Sequence, residues 1–154
     1  MADYFFDSSG LTKRYASETG SAWVETITDL ASGNSIFIAE ITQVEVTAAI
    51  ARKMRGGFLN ITDGNLAFAK IQHDCNDEYL LVEINSINLQ EAIDLVKKHF
   101  LRGYDAVQLA VALKTNRENI SFGLPPIIFV SADNDLNNAA LAEGLAVENP
   151  NNYP

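Results

Sequence analysis

Four acids stand out by their local setting: Asp7, Glu45, Asp105 and Asp133. Asp7 follows the β-prone run Tyr4-Phe5-Phe6 and precedes Ser8-Ser9-Gly10, while Asp133 follows the apolar run Ile127-Ile128-Phe129-Val130 through Ser131-Ala132. A strand that ends in an acid and small polar residues is how a sheet edge passes into a loop carrying chemistry. Asp105 comes after Gly103 and before Ala106 to Leu113, a run apolar on nearly every face. Such a helix is buried, so the chain drives this acid to the mouth of its own core. Each acid also has a plainer reading as a helix-capping group that stabilises by about 1 kcal/mol. That reading is strongest for Glu45, because Thr42 as N-cap puts Glu45 at N3 and makes a capping box. Asp135 is an extra acid beside Asp133.

Gathered in one cleft, these groups would do metal chemistry. Two carboxylates about 4 Å apart repel by about 4 kcal/mol at an effective dielectric near 20, so four together require cations or protonation. His73 and His99 have no metal-ligand partner at useful spacing, and Cys75 is the only cysteine. The donor set is therefore all oxygen, which suits Mg²⁺ or Mn²⁺, as one ion or two. A pair of such ions activates a water and stabilises the leaving oxygen in phosphodiester cleavage. Ser8, Thr42 and Ser131 are candidates to position water or a phosphate oxygen from behind the acids. Lys13, Arg14 and Arg52 are candidates to contact substrate phosphates, against the simpler expectation that they are solvated helix faces.

The elements that must position these groups read as alternating strands and helices. Short helices are expected over 11–15 and 22–30, with Trp23, Ile27 and Leu30 inward, and a strand over 36–39. A helix over 42–52 has Val44, Ala48 and Ala51 as its core stripe, and Gly56-Gly57 breaks it. A helix over 62–77 turns Leu66, Phe68, Ile71 and Cys75 inward, and a strand follows over 80–84. Asn88 caps an amphipathic helix with Leu89, Ala92, Ile93, Val96 and Phe100 on one face. The helix after Gly103 runs to about Lys114, and 115–123 is a polar loop. A continuously apolar strand over 127–130, a short helix over 136–143 closed by Gly144, and a last strand over 146–148 complete the chain. The pattern predicts an α/β fold, a mostly parallel sheet of about 4–5 short strands with helices on both faces. Ligands of such sheets bind outside the carboxyl ends of the strands, and all four acids fall at that rim.

Length and composition set the outer bounds. With 154 residues, 47% of them hydrophobic, the chain is one domain over 1–150 with a tail over 151–154. No run approaches a membrane span, no signal peptide is evident, and a single cysteine fits a reducing cytoplasm. The net charge of −9 argues against a broad basic surface for nucleic acid, but not against an enzyme that meets phosphates through bound cations.

These residues resemble the PIN domains, and in particular the VapC-like ribonuclease toxins of toxin–antitoxin pairs. The resemblance runs from Tyr4 to about Pro150. It is carried by Phe6-Asp7-Ser8-Ser9 with Leu11, Lys13, Arg14 and Tyr15; by Glu18 with Gly20-Ser21; and by Glu45 within 42–52. Further along it is carried by Tyr104-Asp105-Ala106 with Leu109-Ala110 and Ala112, and by Phe129-Val130-Ser131-Ala132-Asp133 with Leu136, Ala139-Ala140 and Gly144-Leu145. It implies a Rossmann-like fold and a metal-dependent, single-strand-directed endoribonuclease, with Asp7, Glu45, Asp105 and Asp133 on the family's acidic quartet. Ser131 falls where the family often has Thr or Ser, Asp135 would assist or replace Asp133, and Gly10 stands where Ala is common. The resemblance also implies an RNA substrate, a cognate antitoxin and a homodimer. The competing reading is a catalytically silent module whose acidic rim holds a basic peptide. A phosphatase would need a second acid two residues after Asp7, where Ser9 stands.

Overall fold

The computed structural model describes residues 1–154. Five parallel strands form one sheet in the order β3-β2-β1-β4-β5: β1 (Asp3–Phe6), β2 (Ser35–Ala39), β3 (Leu80–Val82), β4 (Ile128–Val130) and β5 (Ala146–Glu148). The register sets Phe5 between Phe37 and Phe129, and Phe6 between Ile38 and Val130. Successive side chains of a strand point to opposite faces. Phe5 and Phe129 therefore enter one core, packed by α5 (Ser86–His99), α6 (Gly103–Ser121) and α7 (Asn134–Ala142). Phe6, Ile38 and Val130 enter the other, packed by α1 (Ser8–Leu11), α2 (Ser21–Thr28), α3 (Thr42–Arg55) and α4 (Ile61–Asp77).

Strand order reverses at β1 and β4. The chain leaves β1 onto one face of the sheet and leaves β4 onto the other, which opens a crevice between their carboxyl ends. Asp7 and Asp133 are the residues at its two lips. Gly10 lets the first turn of α1 press on β4, since a Cβ there would lie 2.9 Å from the Val130 carbonyl oxygen.

Several expectations are corrected. The first helix starts at Ser8, not Leu11, and continues as a 3₁₀ turn over Thr12–Arg14. The expected loop over 115–123 is helix to Ser121. Its polar residues are anchored: the Thr115 hydroxyl donates to Val111 O, the Asn119 amide to Asp3 and Pro125 O, and Asn116 accepts from Ile127 N. The cap of α5 is Asn85, with Asn88 closing a reciprocal capping box at N3. In α3 the core residues are Val46 and Ile50, not Val44 or Ala51. Leu30, Leu66, Leu89, Ile93 and Phe100 are exposed, not inward. Residues 151–154 are exposed, and within them Tyr153 stacks on Trp23 with 4.5 Å between ring centroids. No helix is long and apolar enough to cross a membrane.

Candidate active site

Asp7 sits at the end of β1, buried to 2% exposure, and caps α1 by accepting the Gly10 N–H at 2.8 Å. Capping and site roles thus coincide in one side chain. The Ser9 hydroxyl lies 2.8 and 2.9 Å from its two oxygens, and the Ser131 hydroxyl donates to Oδ2 at 2.9 Å. Both hydroxyls are aimed by the backbone: Ser9 Oγ accepts from Ala132 N and Ser131 Oγ from Asp133 N, which leaves their protons for Asp7. No cation reaches this carboxylate. Burial pushes its pKa up to about 7, a rise that the three hydrogen bonds only partly offset and that the Asp105 charge adds to.

Glu45 is not in a capping box. The N-cap of α3 is Ile41, which offers no side-chain bond, so Thr42 does not cap the helix. Glu45 Oε1 instead accepts from Gln108 Nε2 at 2.7 Å, and Oε2 from the Ser8 hydroxyl at 3.2 Å. Thr42 works one step back, where its hydroxyl holds the same Gln108 amide at 2.8 Å and so ties α3 to α6. Glu45 is also raised, by burial first and by Asp105, against the lowering effects of Gln108, Ser8 and Arg52.

Asp105 occupies the third position of α6 and does not cap it. Burial and the Asp133 charge raise it, while Arg102 lowers it. Asp133 caps α7 through Leu136 N at 2.9 Å. Arg102 spans the two, with Nε 3.0 Å from Asp105 Oδ2 and Nη2 3.0 Å from Asp133 Oδ2. Asp105 links the four acids electrostatically: its charge is felt by both Asp7 and Glu45, and it in turn feels Asp133.

Ribonuclease VapC45 of Mycobacterium tuberculosis (strain CDC 1551 / Oshkosh) and ribonuclease VapC49 of strain ATCC 25618 / H37Rv are each 31% identical to this chain over 146 residues, covering 93% of it and 92% of the relative. The chain belongs to the VapC ribonuclease family. No protein-family profile matches it. Solved structures agree on the fold. PAE2754 from Pyrobaculum aerophilum superposes with TM-score 0.63 at 17% identity, over 98% of this chain and 85% of that one. VapBC2 from Rickettsia felis, bound to a promoter DNA fragment, gives 0.61 at 12%, over 96% and 98%. FitAcB from Neisseria gonorrhoeae gives 0.55 at 15%, over 96% and 97%.

The other residues expected at this VapC-type site divide. Ser8 and Ser131 each touch a quartet acid. Asp135 lies exposed in the first turn of α7 beside Asp133. Arg52 is exposed and lines the trough that holds Ser8, Ser9, Glu45 and Tyr104. Lys13 is buried and paired with Glu18 at 3.2 Å, so it is not a free phosphate contact. Arg14 is turned instead to Asp74 and Glu78 at the C-terminal end of α4. Three participants escaped the sequence reading: Ser9, Gln108 and Arg102. Gln108 had a signal, as the lone polar residue in the apolar run from Ala106 to Leu113. Arg102 had one too, a base three residues before Asp105, the acid in the first turn of a helix.

His73 is surface-exposed as expected, but it does have acidic partners. With Asp74 and Glu78 it forms the one trio whose ligand atoms converge within 4.8 Å. That trio is already neutralised: Asp74 Oδ2 takes Tyr15 at 2.8 Å, Lys70 at 3.0 Å and Arg14 at 3.2 Å, and Glu78 takes Arg14 at 2.9 Å. The quartet offers the donor chemistry of a hard divalent ion, although no three of its acids bring ligand atoms within 4.8 Å of one another. Its donors are all carboxylate oxygen, it holds a buried acid with no cation, and a guanidinium already bridges Asp105 and Asp133 where positive charge is needed.

Proposed function

We propose that the protein is a Mg²⁺- or Mn²⁺-dependent endoribonuclease, the toxin of a toxin–antitoxin pair. The observation that carries the reading is Asp7: a buried carboxylate, held by three hydrogen bonds, under the negative charge of Asp105 and with no cation of its own. Membership of the VapC family supports it, and no observation favours a silent module gripping a basic peptide. Asp7, Asp105 and Asp133 would hold the metal, as one ion or two, and Glu45 would hold metal or orient the attacking water. A divalent ion there supplies activation of water and neutralisation of the leaving oxygen.

The chain's own residues do the rest. Ser9 and Ser131 fix the rotamer of Asp7, and Gln108 and Ser8 fix that of Glu45, so both acids present their remaining lone pairs to the crevice. Arg52 offers a phosphate partner along the trough, and Asp135 lies within one turn of the site. Cleavage of the P–O3′ bond by in-line attack of water leaves 5′-phosphate and 3′-hydroxyl ends. The antitoxin and a second copy of the chain are the proposed protein partners. Apolar side chains left open support this: Leu89, Ile93, Tyr104 and Val107 along α5 and α6, and Val44 and Phe68 along α3 and α4. A cytoplasmic location fits the single, buried, unpaired Cys75.

The test is cleavage of single-stranded RNA by metal-stripped protein, with and without Mn²⁺, beside Asp105→Asn. Metal-dependent cleavage lost in a folded Asp105→Asn protein is expected, and undiminished cleavage by that variant would overturn the assignment.

A further inference from the structure

The geometry points to Arg102 as a tethered cation that closes the acidic site when metal is absent, is displaced when metal enters, and then takes a phosphate of the RNA strand. The inference rests on the metal-site reading above. Arg102 sits just outside α6 as its N-cap residue, in an extended backbone conformation, and its side chain is 80% exposed. It has no packing role to explain its placement. Its ion pairs are with Asp105 Oδ2 and Asp133 Oδ2, both at 3.0 Å. The two other quartet acids do not touch it.

Those two oxygens lie at the mouth of the crevice, on acids that belong to different elements, α6 and the loop before α7. A divalent ion drawn in by Asp105 and Asp133 needs the same oxygens. Arg102 and the metal therefore compete for one pair of acceptors. A guanidinium held by two exposed hydrogen bonds in high dielectric is a weak competitor, so it yields to a divalent ion while still lowering its apparent affinity. Once displaced, the guanidinium remains anchored beside the bound metal by its own backbone. Its planar fork then matches two oxygens of a phosphodiester. The strand has a path to it, since Tyr104, two residues on, lines both the trough holding Glu45 and Arg52 and the groove that includes Arg102.

The experiment is a Mn²⁺ titration followed by melting temperature, on wild type, Arg102→Ala and Arg102→Lys, with steady-state cleavage of a single-stranded RNA at saturating Mn²⁺. Wild type must first show saturable stabilisation by Mn²⁺. If it shows none, the metal-site reading itself fails, separately from this inference. Arg102→Ala should bind Mn²⁺ roughly tenfold more tightly, because a competing charge is gone, and Arg102→Lys should fall between. At saturating metal, Arg102→Ala should raise KM for the RNA several-fold with little change in kcat. Unchanged Mn²⁺ affinity in a folded Arg102→Ala protein would overturn the displacement, and an unchanged KM would overturn the phosphate contact.

Discussion

Two buried aspartates, one on each side of this molecule, have opposite lives. Asp74 on α4 is 1% exposed and Asp7 after β1 is 2% exposed. Burial pushes both carboxyls up, but for Asp74 that push is overcome. The Tyr15 hydroxyl, Lys70 and Arg14 all hold its ionised form, and its pKa ends below the ordinary carboxylate range. Asp7 receives only neutral donors and Asp105's negative charge, and it ends at about 7. A buried acid whose counter-ions come from the fold is part of the fold. A buried acid whose counter-ion the fold withholds is poised for something that arrives from outside.

The largest effect expected from breaking this contrast is on catalysis. Asp7→Asn should abolish metal-dependent cleavage, by about a thousandfold or more, while the apo protein stays folded, because the neutral amide removes a buried charge. Asp74→Asn should do the reverse. It removes the charge that Lys70 and Arg14 share, leaving Arg14 with Glu78 alone, and should cost about 2 kcal/mol in denaturant unfolding, with cleavage per folded molecule unchanged.

The pH profiles of stability sharpen the comparison. For metal-free protein, unfolded Asp7 loses its proton near 3.8 while the folded group keeps it to about 7. The folded state then binds more protons, so this contribution to stability is present at low pH and declines as pH rises from about 4 to about 7, by on the order of 4 kcal/mol in all. Asp74 has the other sign: its folded pKa is lowered, so its contribution is present above the ordinary carboxylate range and lost as pH falls. Thermal melts of metal-free protein should show Asp7→Asn flattening the decline toward neutral pH and Asp74→Asn flattening the loss in acid. An Asp7→Asn profile parallel to wild type would mean that folded Asp7 holds its proton no more tightly than the unfolded group does.

A smaller effect is expected at Gln108. Gln108→Leu keeps the volume but frees Glu45 from its 2.7 Å partner and Thr42 from its own. Cleavage should drop about tenfold with a stability loss of about 1–2 kcal/mol. Cleavage equal to wild type would show that Glu45 needs no positioning from α6.

The fold and the acids were legible for different reasons. Strand runs such as Phe5-Phe6 and Phe129-Val130 are buried on both sides, so their apolar character announces them, and the acids just beyond them mark the rim. Helix faces were read less well. Leu66, Leu89 and Ile93 sit at helical spacing yet face outward, because periodicity shows that a helix has an apolar face without showing whether this chain covers it. The extension of α6 to Ser121 was hidden because Thr115, Asn116 and Asn119 are inward by hydrogen bonding, not by hydrophobicity. Gln108 and Arg102 were missed because their roles depend on partners 63 and 31 residues away, at Glu45 and Asp133, while Ser9 is aimed at its near neighbour Asp7 by Ala132 N, 123 residues on.

The most direct measurement compares Mn²⁺-induced stabilisation in wild type, Asp7→Asn and His73→Ala. A ligand bound only by the folded state at 100 times its Kd stabilises by about 2.7 kcal/mol, a shift of several degrees in melting temperature. If the acids around Asp7 are the metal site, the shift appears in wild type and His73→Ala and vanishes in Asp7→Asn. A shift that survives in Asp7→Asn and disappears in His73→Ala would place the metal at the His73, Asp74 and Glu78 cluster and contradict the account.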